Sequence, residues 1–93
     1  YANVKIFPSP FYIPSQKQMT VNGLIYESSM MITTLGGKVV RHIKTSGVEN
    51  DGDQISWDGR DSNGDYVSTG VYLLLIYGKD GSRHENKVTV IKK

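Results

Sequence analysis

Residues 55–77 have the sequence ISWDGRDSNGDYVSTGVYLLLIY, and this stretch decides the fold. A short alternating run containing Trp57 precedes a loop dense in Asp, Asn and Gly, and a long apolar run follows that loop. Gly59 and Gly64 suit tight turns because glycine adopts positive φ without steric cost, and nearby Asp and Asn side chains can accept backbone N–H bonds. The pattern predicts a strand, a loop and a strand. We expect Trp57 in the core and 71–77 as a central strand buried on both faces.

Outside this stretch, short alternating runs are separated by turn residues. They predict strands near 4–7, 18–24, 29–34, 39–43, 54–58, 70–77 and 82–91. The three prolines within 8–14 hold that stretch extended along a sheet edge, because proline has no N–H to donate to a ladder. We expect Phe11 and Tyr12 to pack under this edge. The clearest hairpin turns at LGGK, 35–38. With no helical period, about seven strands predict an antiparallel β-sandwich.

The length and composition fit one small domain spanning 1–93. With 38% hydrophobic residues, the chain can bury one modest core. The absence of cysteine excludes disulfides, zinc–thiolate sites and thiol nucleophiles. No run reaches the ~20 apolar residues of a membrane-spanning helix. The chain starts at Tyr1 without a basic-apolar leader, and we interpret it as a piece of a larger polypeptide.

Charge is unevenly distributed along the chain. Residues 49–65 hold six acidic side chains and one basic one, a net charge of −5, while the remainder carries +7. One interpretation is a solvated acidic loop on an ordinary domain. The other is a basic surface that binds a polyanion. The candidate polyanion-binding residues are Lys38, Arg41, Lys44, Arg83 and Lys87.

The stretch DGRDSNGD, 58–65, has the oxygen-rich character of a calcium loop, but its spacing departs from the EF-hand pattern. Counting from Asp58 places Arg60 at the second ligand position, and counting from Asp61 places Tyr66 where the loop needs glycine. Side chains that cap their own turns explain the same residues. We therefore expect no metal site and no cofactor. Added Ca²⁺ should leave the melting temperature unchanged, since a ligand that binds only the folded state raises it.

The residues needed for catalysis or nucleic-acid binding form no recognisable pattern. His42 and His84 lie far apart in the sequence, and we interpret both as surface histidines. No Ser or Thr lies in a nucleophile-elbow context such as GxSxG, and so small a sandwich has little room for a catalytic cleft. There is no zinc knuckle, RNP-like aromatic strand or basic helix. We expect neither enzymatic activity nor nucleic-acid binding.

Four stretches together carry a family resemblance. WDGRDSNGDYVSTGVY, 57–72, resembles the last third of the C-terminal domains of type IX secretion cargo in the Bacteroidetes. KIFPSPF at 5–11, MITTLGGKVVRHI at 31–43 and NKVTVIKK at 86–93 resemble, in order, their Pro-x-Pro-Phe opening, their strand–Gly–strand hairpin and their basic-ended terminal strand. Those domains are similar to the immunoglobulin-like domain of the flagellar hook-capping protein. The resemblance implies a single immunoglobulin-like sandwich.

The resemblance also implies a sorting role. In that family, a folded, non-catalytic C-terminal domain directs its parent protein through the periplasm and the type IX translocon to the outer-membrane surface. A cell-surface sortase usually removes the domain and joins the cargo to anionic lipopolysaccharide. The resemblance assigns recognition by translocon or sortase to Lys87, Val88, Thr89, Val90, Ile91, Lys92 and Lys93. From the apolar alternation, we expect part of this segment to pair in a sheet, with Lys92 and Lys93 beyond the strand and solvated.

Two alternatives stay open. ITTLGGKVVRHI followed by WDGRDSNG also resembles the C-terminal module of surface β-propeller proteins of the same bacteria. The domain would then be a retained interaction module that binds anionic lipopolysaccharide or a sortase partner. The other alternative is a generic immunoglobulin-like structural or adhesion module, for which export would not depend on the last residues. The mass of the mature parent protein separates a cleaved domain from a retained one.

Overall fold

The computed structural model describes residues 4–24, 28–44 and 54–93, and all regular structure within them is β-strand. The strands are β1 Lys5–Phe7, β2 Phe11–Ile13, β3 Met19–Asn22, β4 Ser28–Thr34, β5 Val39–Lys44, β6 Gln54–Trp57, β7 Gly70–Gly78 and β8 Arg83–Lys92. The predicted loop at 45–53 lies outside the described residues. The all-β prediction is confirmed, with eight described strands where the sequence indicated about seven.

Two sheets form the sandwich. The three-stranded sheet has the order β1-β3-β6, and the five-stranded sheet has the order β2-β8-β7-β4-β5. Strand pairs within the described residues are antiparallel except for β2 and β8, which run parallel with Phe11 opposite Val90. The architecture is compatible with the immunoglobulin-like sandwich that was expected, with one parallel edge pair that apolar alternation does not reveal.

The proline-rich stretch moves the chain from one sheet to the other. β1 ends at Phe7 in the three-stranded sheet, and β2 begins at Phe11 on the edge of the five-stranded sheet. Pro8 and Pro10 lie between them, where the missing N–H groups end one ladder before the next begins. Phe11 is fully buried and Tyr12 is half-buried. The expected position at a sheet edge is confirmed for 11–13 alone, and of the two aromatic residues only Phe11 packs in the core, because the next residue, Tyr12, points to the opposite face.

The core lies between the sheets and centres on Trp57. This residue is 1% exposed, and its ring centroid lies 6.1 Å from that of Phe11 and 5.9 Å from that of Tyr72 in tilted and edge-on geometry. Its Nε1–H donates to the Arg60 carbonyl at 2.8 Å, so the polar atom of the buried ring is satisfied. The predicted burial of Trp57 is confirmed. The other large, fully buried side chains are Phe11, Ile13, Met19, Val21, Met30, Ile32, Leu74, Ile76, Val88 and Val90.

β7 is a central strand between β8 and β4, as predicted. Its side chains nevertheless alternate: Leu74 and Ile76 are fully buried, whereas Val71 is 36% and Tyr77 is 38% exposed. The expectation that 71–77 is buried on both faces is wrong. Consecutive side chains of a strand point to opposite faces, and within the described residues the second sheet packs on one face of the five-stranded sheet only.

The β4–β5 hairpin turns where the LGGK sequence indicated. Gly37 has φ +94°, a conformation that a residue with a Cβ rarely adopts. The register shifts within the hairpin, since Ile32 pairs with Arg41 but the next residue, Thr33, pairs with Val39. β5 therefore contains one extra residue, a β-bulge, which changes the face to which its neighbouring side chains point.

Candidate functional site

The outer face of the five-stranded sheet, the side turned away from the three-stranded sheet, carries three of the candidate basic residues. Directly paired residues of neighbouring strands point to the same face. The register gives the rows Arg83–Tyr77–Ser29–Lys44, Glu85–Leu75–Met31–His42 and Lys87–Leu73–Thr33–Val39. Lys44, Arg83 and Lys87 therefore share this face, around a centre of apolar side chains.

The apolar centre of the outer face was missed by the sequence interpretation. Val71 and Tyr77 are each more than a third exposed, and Val39 is 52% exposed. Strand alternation could have indicated these exposed side chains, because every second residue of a strand with one packed face must point outwards. The sequence interpretation missed them because an uninterrupted apolar run is also typical of a strand covered on both sides.

Arg41 and Lys38 do not belong to the basic group on the outer face. Arg41 pairs with Ile32, a core residue, and so points to the inner side of the sheet. Its guanidinium lies 3.3 Å from Asp58 Oδ1 and donates to the Arg60 carbonyl at 3.1 Å. Lys38 is exposed in the hairpin turn. The five candidate residues therefore do not form one surface, because Arg41 and Lys44 lie three residues apart on β5 and so point to opposite faces.

The terminal segment assigned to recognition is largely built into the sheet. β8 pairs with β7 along 83–90 and with β2 along 90–92. Val88 and Val90 are buried between the sheets, so only alternate side chains, such as those of Lys87 and Thr89, are exposed. The expected strand pairing is confirmed. Among the residues assigned to recognition, Lys87, Thr89, Lys92 and Lys93 have exposed side chains.

The last two residues are held more firmly than the sequence suggested. Lys92 is the final residue of β8, and its N–H donates to Thr69 Oγ1 at 2.8 Å. Lys93 N–H donates to the Ile13 carbonyl at 2.9 Å, and its ammonium lies 4.9 Å from the ring centroid of Tyr12. Both side chains are exposed, as expected. The expectation that Lys92 lies beyond the strand is wrong, because β2 extends the sheet to that point.

Two carboxylates of the Asp-rich loop bond to the loop's own backbone. Asp58 Oδ1 accepts the Arg60 N–H at 3.0 Å, and Asp61 Oδ1 accepts the N–H groups of Asn63 at 2.9 Å and Asp65 at 3.0 Å. These are the self-capping turns predicted from the sequence. Within 4–24, 28–44 and 54–93, no three His, Cys, Asp or Glu side chains are grouped as ligands for a metal ion.

Further bonds tie this loop to the sandwich. The Arg60 guanidinium lies 4.5 Å from the Tyr66 ring centroid and donates to the Tyr66 hydroxyl at 3.2 Å. Ser62 donates both its N–H, at 3.0 Å, and its hydroxyl, at 3.1 Å, to the Val40 carbonyl of β5. Because the polar groups of the loop are engaged in these bonds, the loop stabilises one end of the fold.

Among the depressions on the described surface, two lie beside turns of the fold. One of about 300 Å³ lies between the β4–β5 turn and the Asp-rich loop, where Lys38, Asp61 and Tyr66 are among its lining residues. Another of about 290 Å³ lies along the end of the β7–β8 hairpin. His42 and His84 lie on β5 and β8, with β7 and β4 between them. In the part of the chain that the structure describes, no helix is long and apolar enough to cross a membrane.

Among the described residues, two titratable groups are perturbed: Tyr72 in β7 and Asp80 in the β7–β8 turn. Burial raises the pKa of Tyr72, whose hydroxyl donates to the Ser68 carbonyl at 2.6 Å. Hydrogen bonds from Ser82 lower the pKa of Asp80, whose Oδ1 accepts the Ser82 N–H at 2.9 Å. The two shifts have different causes, since an ionised carboxylate is favoured by its donors and an ionised phenol is disfavoured by burial.

The fold and its surfaces define a small all-β sandwich of immunoglobulin-like type. Over 97% of its length the chain is similar to PorZ, an essential bacterial surface component of the type IX secretion system of Porphyromonas gingivalis, with a TM-score of 0.79 and 22% identity. It is also similar to dimeric latent PorU from P. gingivalis, at a TM-score of 0.61 and 20% identity over 97% of the chain. CopC from Methylosinus trichosporium OB3b gives a TM-score of 0.55 and 19% identity over 97% of the chain.

The match is to a small part of the two larger neighbours. The chain spans 12% of PorZ and 9% of PorU, but 95% of CopC. At these identities the likeness shows the fold alone, because one fold can carry unrelated functions. No protein-family model and no curated protein matches the chain.

Proposed function

We propose that this chain is a non-catalytic C-terminal sorting domain of the type IX secretion kind, which directs its parent protein across the outer membrane to the cell surface. One unit spanning 1–93 would carry the signal, and a type IX translocon and a cell-surface sortase would be its partners. The observation that carries the proposal is the fold shared with PorZ, a type IX secretion component, at a TM-score of 0.79 over 97% of the chain. The four family-like stretches, in the expected order, support the same role.

In this proposal a partner protein recognises a folded surface of the domain. Along β8 the inward side chains Val88 and Val90 anchor the strand, and the exposed side chains of Lys87 and Thr89 remain available for contact. At the end of the chain, the N–H bonds of Lys92 and Lys93 fix the backbone from which two exposed cationic side chains project. A backbone that is already ordered favours recognition because it loses little entropy on binding.

The test uses a reporter enzyme fused ahead of the chain in a Bacteroidetes host with a type IX system. The reporter should reach the cell surface with the chain attached and stay in the periplasm without it. The double variant Lys92→Glu/Lys93→Glu should trap the fusion in the periplasm in a folded state. Charge reversal is preferable to deletion, because it keeps the N–H bonds to Thr69 and Ile13. Cell fractionation and reporter activity measure the outcome.

Lys5→Glu/Lys38→Glu is the matched control, since it reverses two exposed charges outside β8 and outside β2, the strand that pairs with its end. Both double variants should melt close to the unmodified chain, because surface changes usually stay within about ±0.5 kcal/mol. Failure of the chain to deliver the reporter, or equal delivery without it, would overturn the sorting role. Normal delivery of the Lys92→Glu/Lys93→Glu variant would remove the terminus from recognition.

A retained interaction module is the second candidate function. The observation that favours it is the position of Lys44, Arg83 and Lys87 on one face of the five-stranded sheet. A cationic face of this kind would bind an anionic polymer such as anionic lipopolysaccharide through its summed potential. The mass of the mature parent protein distinguishes this function, which keeps the domain, from sorting with cleavage.

Binding of the 93-residue chain to anionic lipopolysaccharide tests the second function. Affinity should fall steeply with salt, because exposed charges are screened over about 8–10 Å at physiological ionic strength. Lys44→Glu/Arg83→Glu should weaken binding, while Lys17→Glu/Lys38→Glu, which makes the same charge change elsewhere, should weaken it less. If the affinity changes neither with salt nor with the Lys44→Glu/Arg83→Glu substitution, electrostatic binding is contradicted.

A further inference from the structure

β8 has a backbone edge that no other described strand covers. β7 pairs with one side of β8 along 83–90, and β2 pairs with the other side only along 90–92. Within 4–24, 28–44 and 54–93, the side of β8 turned away from β7 therefore has no strand partner along 83–89. We name this stretch the open edge. It begins after the β7–β8 turn and ends where β2 begins.

The hydrogen-bond pattern decides which groups the open edge presents. Gly78 N–H donates to the Ser82 carbonyl at 2.8 Å, so bonded pairs between β7 and β8 recur at every second residue from there. Even-numbered residues of 83–89 thus bond to β7, and odd-numbered residues direct their N–H and C=O groups outwards. Lys87 agrees with this assignment, because its N–H donates to Asn86 Oδ1 at 2.8 Å.

The outward residues also carry alternating charge. Arg83, Glu85, Lys87 and Thr89 all have exposed side chains on the outer face. A strand that adds to this edge in antiparallel register would place its own outward residues directly opposite them. In one antiparallel register, two charged residues of the open edge face residues of opposite charge in a second copy of the same stretch. With a two-fold axis at Asn86, Glu85 of each copy faces Lys87 of the other.

Two separate observations select that register. The open edge runs from the hairpin turn to the start of β2, and its midpoint is Asn86. Centring the axis there uses all of 83–89 and forms two Glu–Lys pairs. Moving the axis to Glu85 would place that carboxylate against its own copy and Arg83 against Lys87, and like charges directly opposite are destabilising.

We propose that the open edge is a self-association site, which pairs with the open edge of a second copy of this chain in antiparallel register about Asn86. The two five-stranded sheets would then join into one continuous sheet, as in strand addition at other exposed edges. On pairing, Lys87 N–H exchanges its bond to Asn86 Oδ1 for a main-chain carbonyl. The inference does not depend on the sorting role, because it follows from strand order and charge alone.

The test is sedimentation equilibrium of the 93-residue chain from micromolar to near-millimolar concentration. We expect a reversible monomer–dimer equilibrium. Glu85→Lys and Lys87→Glu should each weaken it by roughly tenfold or more, since each replaces two opposite-charge pairs by two like-charge pairs. Mixing the two variants should restore association as a heterodimer, because one copy then presents two lysines at these positions and the other presents two glutamates. Amide hydrogen exchange at Glu85 and Lys87 should slow as the dimer forms.

Matched controls make the same charge changes away from the open edge. Asp65→Lys accompanies Glu85→Lys, and Lys17→Glu accompanies Lys87→Glu; all four variants are at exposed positions and should keep the unmodified melting temperature. A monomer at every concentration would overturn the proposal. The proposal would also be overturned if both edge variants dimerised with the same affinity as the unmodified chain, or if the mixture of the two associated no better than either variant alone.

Discussion

Leu74 and Leu75 are consecutive residues of β7 with the same side chain and opposite surroundings. Leu74 is fully buried between the sheets, whereas Leu75 is half-buried on the outer face. The alternation extends along the strand to Val71 and Tyr77, both more than a third exposed. Because hydrophobic stabilisation scales with the apolar area removed from water, the inner side chains fix the fold and the outer ones stay available for contact.

The largest effect is expected at the aromatic centre of the inner face. Trp57→Ala should destabilise the fold by roughly 3–5 kcal/mol, the usual cost of deleting a large buried aromatic. Tyr77→Ala, which removes an aromatic ring from the outer face, should cost about 1 kcal/mol or less. Urea unfolding followed by circular dichroism measures both. Equal unfolding midpoints for the two variants would show that the two faces contribute equally.

The leucine pair is the most direct comparison, because chemistry and strand are held constant. Leu74→Ala should cost roughly 2–5 kcal/mol through lost burial and a residual cavity. Leu75→Ala should cost about 1 kcal/mol, since its side chain is already partly in water and no closed cavity forms. Chemical unfolding at equal protein concentration gives the two values. A cost for Leu75→Ala as large as that for Leu74→Ala would indicate that another surface covers the outer face.

Much of the fold could be predicted from local patterns. The β4–β5 hairpin, the burial of Trp57 and the place of β7 follow from turn glycines, a large ring and an apolar run. The parallel pairing of β2 with β8 could not be predicted, because it joins residues about 80 positions apart through backbone bonds that leave no side-chain period. Which face of β7 is buried also depends on the position of the second sheet, and that sheet is formed by strands that lie elsewhere in the sequence.

The next prediction concerns the loop that closes the inner face. Gly59 has φ +82°, and a Cβ added there would lie 2.8 Å from Ile13 Cγ2. Gly64 has φ +88°, but a Cβ there would meet nothing within 4 Å. Both variants carry the backbone strain of a positive φ. Gly59→Ala should cost roughly 1–3 kcal/mol more than Gly64→Ala, because its Cβ also overpacks against Ile13. Thermal unfolding of the two variants isolates the packing contribution.

A second measurement places the clash at Gly59. Ile13→Val shortens the side chain against which the new Cβ would press, so the double variant Gly59→Ala/Ile13→Val should be less destabilised than the sum of the two single variants. Additive costs would place the strain in the backbone instead of in the contact with Ile13.

The candidate surface was less predictable than the fold. The sequence identified the basic residues but not which face of β5 packs on the core. Arg41 and Lys44 lie three residues apart and so on opposite faces, and Arg41 is the one turned inwards to Asp58. Strand parity does place Lys44, Arg83 and Lys87 together, but only after the register of four strands is known. The side of β8 that lacks a neighbour among the described strands likewise depends on strand order, which no residue type encodes.

The smallest expected difference compares one substitution on the two faces, Val88→Thr and Val71→Thr. Threonine keeps the branched shape of valine, so the change tests polarity and not volume. Val88 is 1% exposed, and its new hydroxyl would be buried, at a cost of about 1–2 kcal/mol unless it finds an acceptor. Val71 is 36% exposed, so its hydroxyl can bond to water and the cost should stay within about 0.5 kcal/mol. Both residues lie in paired stretches of neighbouring strands, β8 and β7, which keeps the backbone setting alike.

Urea midpoints resolve a difference of this size when the unfolding slope is unchanged. If Val71→Thr costs as much as Val88→Thr, the outer face is dry in solution and must be covered by another surface, because pairing at the open edge extends the sheet and leaves this face uncovered.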